Sequence, residues 1–325
     1  MTLIEKVRKN AQSKLKKIVL PEGNEIRVLK AAEFLNKHNL VIPVILGPAA
    51  EVNKLASEEG IDLAGIEIID PRTDSQIEDF AREYYELRKH KGMTIEEARK
   101  TVIHPLFFGA FLVRRNLVAG AVAGSVNTTG DVMRAAIQVV GLAPGIKAVS
   151  SCFIMVMPDG RELTFGDCAV IPNPDVDQLA SIAISSAHTH QLLVGEEPCV
   201  AMLSFSTKGS ASHEDVEKVV QATNQVKALA PHLMIDGELQ FDAAYVEAIG
   251  KKKAPGSTVA GKANVYIFPD LDAGNIGYKI TQRLAGAEAV GPVVQGLAKP
   301  YNDLSRGCSV DDIINVACIC SVLST

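Results

Sequence analysis

A hydroxyl, a guanidinium and a carboxylate lie close together near the end of the chain. Ser305, Arg306 and Asp312 fall within the segment Pro300–Asp312, which runs into an apolar-periodic stretch that predicts a helix over Ile313–Leu323. A turn with an arginine and free backbone N–H groups, leading into a helix N-terminus, is typical of an anion site. A carboxylate beside an anion repels it unless it has a task of its own, such as accepting a proton.

A purely structural role accounts for the same residues. Ser309 stands where a helix N-cap belongs, and Asp312 follows it at the spacing of a capping box. The helix dipole also favours a carboxylate at this position, and Ser305 and Arg306 fit an ordinary turn. The segment by itself leaves the catalytic and the structural hypotheses open.

A second candidate anion site follows a strand predicted over Leu117–Ala123. The loop Gly124–Asp131 is rich in Gly, Ser, Thr and Asn and leads into a helix predicted over Val132–Val140. Small hydroxyl residues let the backbone approach an anion closely, and Arg134, one turn inside the helix, can reach back over the loop. An ordinary strand-to-helix connection fits this pattern equally well.

The elements that would position these residues alternate between strands and helices. Apolar runs separated by helical patterns predict strands at 17–20, 41–46, 66–69 and 117–123. This alternation is typical of a parallel sheet covered by helices. In the second half of the chain, loops are predicted over 251–261 and 269–275, and a helix is predicted over 276–285.

The pattern changes after Gly141–Gly145. Two strands, Ala148–Met157 and Arg161–Val170, flank the turn signal Pro158–Gly160 and predict an antiparallel hairpin. A chain of 325 residues exceeds the usual size of one core, so two domains are expected. We expect the chain to hinge near Gly141–Gly145 and again near Gly296–Pro300.

Composition and charge exclude several classes of protein. The net charge of −5 speaks against a broad nucleic-acid surface. The most apolar window, Leu117–Val126, is too short to cross a bilayer, and the N-terminal residues lack the apolar core of a signal peptide. The six cysteines lack the spacing of a metal site, so no bound metal is expected. We expect them to be buried free thiols in a reducing cytoplasm. Neither a dinucleotide fingerprint nor a P-loop is present.

Four separated motifs together resemble the phosphate acetyltransferase family over essentially the whole chain. They are Leu20–Gly23, Gly124–Asp131 with Arg134, Phe268–Lys279 and Pro300–Asp312. The resemblance implies the reversible reaction of acetyl-CoA with phosphate to give acetyl phosphate and CoA, with CoA as a substrate and no tightly bound cofactor. It also implies a homodimer.

The resemblance further implies a fold of two α/β domains with largely parallel sheets, similar to that of the isocitrate and isopropylmalate dehydrogenases. The C-terminal segment is expected to return to the first domain. The first domain would then comprise residues 1–145 and 300–325 and the second residues 146–299, with the active site in the cleft between them.

The resemblance assigns roles that the chemistry requires. A thiol with a pKa of about 8.5 is only a few per cent ionised at neutral pH, and Asp312 matches the family's base. Ser305 matches the donor to the carbonyl oxygen on which charge develops, and Arg306 matches the arginine that holds the phosphoryl group. Arg88 and Arg134 match positions linked to the CoA phosphate. Further substrate contacts are predicted, from the resemblance and from loop physics, at Ser125, Asn127, Thr128, Thr129 and Lys279.

Three other functions stay open on the sequence. A phosphate butyryltransferase performs the same chemistry, and one methylene shifts discrimination by only about 1–3 kcal/mol. A non-catalytic acyl-CoA-sensing module, like those fused behind malic enzymes, is disfavoured because Ser305, Arg306 and Asp312 are all retained. A dehydrogenase of similar fold is disfavoured because the motifs contain no acidic metal cluster.

Overall fold

The computed structural model describes residues 1–324 and divides the chain into two compact units. The first unit is Met1–Gly141 together with the C-terminal segment from Leu297, and the second is Leu142–Gly296. The sequence placed these changes at residues 145 and 300. Thr325, the last residue of the predicted first domain, lies outside the described residues.

Both units are built from alternating strands and helices. Numbered along the chain, the strands are β1 (Lys17–Leu20), β2 (Ile42–Leu46), β3 (Glu67–Ile69), β4 (Gly120–Ala123), β5 (Ser150–Val156), β6 (Glu162–Gly166), β7 (Cys199–Leu203), β8 (Met234–Leu239), β9 (Val265–Ile267), β10 (Glu288–Gln295) and β11 (Tyr301–Asp303). The helices are α1 (Leu3–Lys14), α2 (Ile26–Lys37), α3 (Ala49–Glu58), α4 (Ile77–Arg88), α5 (Ile95–Val102), α6 (Pro105–Arg114), α7 (Thr129–Ala135), α8 (Val176–Leu193), α9 (Glu214–Leu229), α10 (Phe241–Tyr245), α11 (Glu247–Lys253), α12 (Leu271–Leu284) and α13 (Val310–Leu323).

The first unit contains a parallel sheet in the order β11-β4-β1-β2-β3. Its strands are short, β1 to β4 are mostly apolar, and β4 is buried along its full length. The rings of Phe80 and Phe111 stack 5.0 Å apart beside Phe108, so α4 and α6 share one aromatic core with the sheet. Because parallel strands end at one edge of a sheet, the loops after β1, β4 and β11 meet there.

The second unit contains a mixed sheet in the order β10-β5-β6-β9-β7-β8. The predicted hairpin is confirmed: β5 runs antiparallel to β6, and Met157 and Arg161 close the turn with a backbone hydrogen bond. β6, β9, β7 and β8 run parallel. The predicted class of two α/β domains with largely parallel sheets is therefore confirmed. Among residues 1–324, no helix has both the length and the apolar character that a membrane span requires.

Several element boundaries differ from the sequence prediction. The sequence assigned no helix to the N-terminal residues, but a capping box between Thr2 and Glu5 starts α1. The loop predicted over 269–275 is wrong in part, because the Asp270 side chain accepts the Ala273 N–H and starts α12 at Leu271.

Two further differences concern short elements. The loop predicted over 251–261 begins inside α11. The strand β11 lies in a segment predicted as a turn, and it forms because Tyr301–Asp303 pairs with β4, a neighbour distant in sequence. Pairing of that kind leaves no local pattern to detect.

Candidate active site

The loop after β4 is organised around the buried carboxylate of Glu22, which is 3% exposed. The backbone N–H groups of Gly124 and Ser125 donate to its Oε2 at 3.0 and 2.8 Å. Those of Val126 and Asn127 donate to its Oε1 at 3.1 and 2.8 Å. The Ser125 hydroxyl and the Asn127 side-chain amide also donate to this carboxylate. The loop therefore encloses an anion that belongs to the protein itself.

This arrangement changes the interpretation of the loop. The sequence treated its N–H groups as available to a substrate anion, whereas in the structure Glu22 accepts them. Burial by itself raises the pKa of Glu22, but the hydrogen bonds from Asn127, Ser125 and Val126 outweigh burial and hold the pKa below its usual value. Sequence reasoning noted the Leu20–Gly23 motif but gave Glu22 no role. The available signal was its place directly after β1, at the sheet edge where the β4 loop also lies.

Arg27, in the first turn of α2, joins this loop to the C-terminal turn. Its Nη2 donates to the carbonyl oxygen of Ser125 at 3.0 Å. Its Nη1 donates to the carbonyl oxygens of Arg306 and Cys308 at 2.9 and 2.7 Å. The Nε of Arg27 donates to Glu25 at 2.8 Å, which fixes the direction of the guanidinium. The structure thus brings the two sequence-predicted anion segments together through one side chain.

Ser305, Arg306 and Cys308 lie in a tight turn before α13. The N–H of Cys308 donates to the Ser305 carbonyl at 2.9 Å, and the N–H of Gly307 donates to the Ser305 hydroxyl at 3.2 Å. The Arg306 side chain is exposed, and within residues 1–324 its guanidinium has no hydrogen-bond or ion-pair partner. Burial raises the pKa of the Cys308 thiol, which makes it a poor nucleophile.

Asp312 is both a cap and an exposed carboxylate. The predicted capping box is confirmed: Oδ2 of Asp312 accepts the N–H and the hydroxyl of Ser309, each at 2.8 Å. The N–H of Asp312 in turn donates to the Ser309 hydroxyl at 3.1 Å. Within the described chain, the other carboxylate oxygen, Oδ1, accepts no hydrogen bond. Capping therefore leaves one oxygen free to accept a proton.

Asp303 is a second carboxyl at this sheet edge, and sequence reasoning did not single it out. Its Oδ2 accepts the hydroxyl of Thr129 at 2.6 Å, and its Oδ1 is buried without a partner among the described residues. Burial, with a smaller effect from the nearby charge of Glu22, raises the pKa of Asp303 to about 6. Gly124, at a φ of +110°, is needed here because a Cβ would lie 2.4 Å from Asp303 Oδ1.

The remaining residues predicted at this loop lie around the start of α7. The hydroxyl of Thr128 caps the helix through the Asp131 N–H at 3.2 Å. Arg134 pairs with Asp131 at 2.8 Å within α7, with both side chains exposed. The helix predicted over Val132–Val140 starts at Thr129, and its last five residues, 136–140, form a π-helical segment.

Arg88 ends α4, and its Nε is buried without a hydrogen-bond partner among the described residues. Burial raises the pKa of Tyr84, while the positive charges of Arg88 and Arg134 lower it. Both predicted CoA-phosphate arginines therefore lie within electrostatic reach of the same phenol. Lys279 belongs to the second unit, on α12, where its Nζ is 5.8 Å from the Tyr278 ring centroid.

The exposed polar groups at the edge of the first sheet determine what chemistry this site can perform. Among residues 1–324, no group of three or more His, Cys, Asp or Glu side chains could hold a metal ion. The exposed groups are the hydroxyl of Ser305, the guanidinium of Arg306 and the carboxylate of Asp312. Among the described residues, the guanidinium has no hydrogen-bond partner and the carboxylate has one oxygen, Oδ1, that accepts no hydrogen bond. Such a set can donate to an oxyanion, hold a phosphoryl group and accept a proton.

Comparison with known proteins decides the family. The model of a family described as phosphate acetyl/butaryl transferase matches residues 2–321. The chain belongs to the phosphate acetyl/butaryl transferase family. The resemblance drawn from the four sequence motifs is therefore confirmed.

Individual members of the family match over almost their full length. A phosphate acetyltransferase from Acetivibrio thermocellus is 52% identical over 327 residues, covering 99% of this chain and 98% of that protein. A solved phosphotransacetylase from Staphylococcus aureus shares 43% identity with a TM-score of 0.92 and covers 99% of each chain. One from Streptococcus pyogenes shares 42% identity with a TM-score of 0.94, covering 99% of this chain and 98% of its own.

Proposed function

We propose that this chain transfers an acetyl group reversibly between CoA and phosphate by direct attack of the CoA thiolate on acetyl phosphate. One observation carries the proposal within this family: the turn before α13 and the first turn of that helix present the Ser305 hydroxyl, the Arg306 guanidinium and Oδ1 of Asp312, and the last two have no hydrogen-bond partner among the described residues. In the reaction, the new S–C bond forms as the C–O bond to phosphate breaks. The thiol proton passes to Asp312, and phosphate leaves with the bonding electron pair.

Asp312 acts as the base in this proposal. Its Oδ2 is held by Ser309, which fixes the orientation of the carboxylate, and its Oδ1 accepts the thiol proton. Its position in the first turn of α13 places the carboxylate at the end of the helix where the dipole favours negative charge. No acyl-enzyme is required, and the buried Cys308 takes no part.

Ser305 and Arg306 stabilise the developing charge. The Ser305 hydroxyl accepts the N–H of Gly307, which leaves its own proton available to the carbonyl oxygen of acetyl phosphate. Donors in comparable oxyanion sites contribute about 2.7–4 kcal/mol. The planar fork of Arg306 suits two phosphoryl oxygens at once, and its exposure leaves it free to bind them.

Arg88 and Arg134 bind the phosphates of CoA in this proposal. Both act electrostatically on Tyr84 and so contribute to one positive region of the first unit. Arg134 would exchange its exposed pair with Asp131 for a phosphate. Further substrate contacts are proposed for Ser125, Asn127, Thr128 and Thr129, and for Lys279 on α12.

The test is an ultraviolet assay of thioester formation from CoA and acetyl phosphate, repeated with butyryl phosphate. The family description covers both acyl groups, and the acetyl function requires kcat/KM to be higher for acetyl phosphate. A preference for butyryl phosphate would assign the chain to the longer acyl group. Binding of acyl-CoA without turnover would assign it to the sensing modules.

A homodimer is part of the proposal. Ile276, Ile280 and Leu284 recur at every fourth residue of α12 and form one stripe, with 56%, 51% and 83% of each residue exposed. An exposed apolar stripe of this kind is typical of a protein interface.

We also place the protein in a reducing cytoplasm, which the six buried free cysteines support.

A further inference from the structure

Glu22 has no role in the reaction proposed above, although it lies at the centre of the loop that carries Ser125 and Asn127. Six donors from this loop converge on its two oxygens, four from the backbone and two from side chains. The residue is 3% exposed. A carboxylate so enclosed cannot meet a substrate, but it can decide where the loop lies.

Arg27 extends this influence to the reacting groups. It donates to the carbonyl oxygen of Ser125 at 3.0 Å, directly beside the amide groups that Glu22 accepts. The same guanidinium donates to the carbonyl oxygens of Arg306 and Cys308 at 2.9 and 2.7 Å. A displacement of the Ser125 loop would therefore pull on the turn that carries the proposed oxyanion donor and phosphoryl ligand.

We propose that Glu22 is a positioning residue for the acyl-transfer site: its carboxylate fixes the loop Gly124–Asn127, and through Arg27 this loop fixes the turn with Ser305 and Arg306. The inference rests on the proposed function. Reacting groups must be held within a fraction of an ångström, and a misplacement of about 1 Å can cost about 100-fold in rate. An internal anion in the loop supplies that constraint before substrate arrives.

The decisive variant is Glu22→Gln, which keeps the size of the side chain. Its amide nitrogen donates instead of accepting, so the N–H groups that faced that oxygen lose their acceptor. We expect kcat at 25 °C to fall about 10- to 100-fold in folded protein. The KM for CoA should change by less than about threefold, because the disturbed turn carries the acyl phosphate groups and not the CoA arginines.

The matched control is Glu83→Gln in the same unit. Glu83 is a half-buried carboxylate on α4 that accepts hydrogen bonds from Arg114 and Arg115, and these hydrogen bonds do not involve the Gly124–Asn127 loop. It should lower the melting temperature and leave kcat within about twofold of the wild type. A loss of kcat shared by both variants would overturn the proposal, because general destabilisation would then explain it.

A pH profile separates positioning from proton transfer. A positioning residue lowers kcat by the same factor at every pH from about 6.5 to 9, whereas a proton-transfer group makes that factor change with pH. A factor that varies would overturn the proposal. So would a Glu22→Gln enzyme with wild-type kcat, whatever its melting temperature.

A second variant, Glu22→Asp, decides the case if Glu22→Gln does not fold. Asp keeps the charge but is one methylene shorter, so it reaches only part of the loop, and kcat should again fall at least about fivefold. Wild-type kcat in this variant, or failure of both variants to fold, would overturn the proposal. Wild-type protein that forms no thioester would instead refute the proposed function itself.

Discussion

Asp312 combines a structural and a proposed catalytic role that one substitution can separate. In Asp312→Asn, the side-chain oxygen can still accept from Ser309, and the N–H of residue 312 still donates to the Ser309 hydroxyl. The main structural loss is the charge at the helix N-terminus, which is about 0.3–1 kcal/mol. In a domain of this size, that corresponds to a fall of roughly 0.5–4 °C in melting temperature.

The catalytic loss should be much larger. A positioned general base contributes about 10²- to 10⁴-fold to the rate, and an amide cannot accept the thiol proton. We expect kcat to fall by about that factor, with partial recovery as pH rises through the thiol pKa of about 8.5, because CoA then ionises without help. The assay measures thioester formation and melting temperature on the same samples between about pH 6.5 and 9.

The control for this experiment is Ser309→Ala, which removes the cap and keeps the carboxylate. Loss of an N-cap side chain costs about 0.5–2 kcal/mol, so this variant should melt earlier. The backbone N–H of residue 309 still donates to Asp312 Oδ2 and keeps the carboxylate in place, so turnover should stay within about fivefold of wild type. An Asp312→Asn enzyme with near-normal turnover and a lowered melting temperature would refute the catalytic assignment and leave Asp312 as a cap.

Three further predictions follow from the geometry. Arg134→Ala and Arg88→Ala should raise the KM for CoA more than the KM for acetyl phosphate. With dephospho-CoA, which lacks the 3′-phosphate, the rise in KM should be smaller. An equal rise in KM with CoA and with dephospho-CoA would contradict contact with the 3′-phosphate. Asp303 has a pKa raised to about 6 in the folded state, so its contribution to stability is complete below about pH 4 and is lost as pH rises through 6. The melting temperature of Asp303→Asn relative to wild type should therefore rise between about pH 4.5 and 7, and a constant difference would contradict the raised pKa. Leu284→Glu should convert a dimer to a monomer in analytical ultracentrifugation, and a monomeric wild type would refute the homodimer.

Local patterns predicted much of the fold. The strands predicted at 17–20, 41–46, 66–69 and 117–123 correspond to β1, β2, β3 and β4, and their bounds differ from the prediction by at most three residues. The capping box at Ser309 and the hairpin around Pro158–Gly160 were predicted for the same reason, since each depends on residues adjacent in sequence. The start of α12 was missed because Asp270 was treated as a loop residue and not as a cap.

Contacts between distant segments could not be predicted. The loop Gly124–Asp131 has the composition of an anion site, and no local signal shows that its anion is Glu22, about a hundred residues earlier in the chain. The same holds for Arg27, whose partners lie after β4 and before α13. Sequence motifs identified which segments matter, and the parallel order of β1, β4 and β11 explains why they meet.

The most direct test of the account is the wild-type reaction itself. Purified protein is mixed with CoA and acetyl phosphate, and the thioester absorbance is followed together with the release of phosphate. The account predicts that one phosphate appears for each acetyl-CoA formed, with no burst of phosphate when CoA is omitted, because the thiolate attacks acetyl phosphate directly. Phosphate release without CoA, in an amount equal to the enzyme, would indicate an acyl-enzyme and contradict the account.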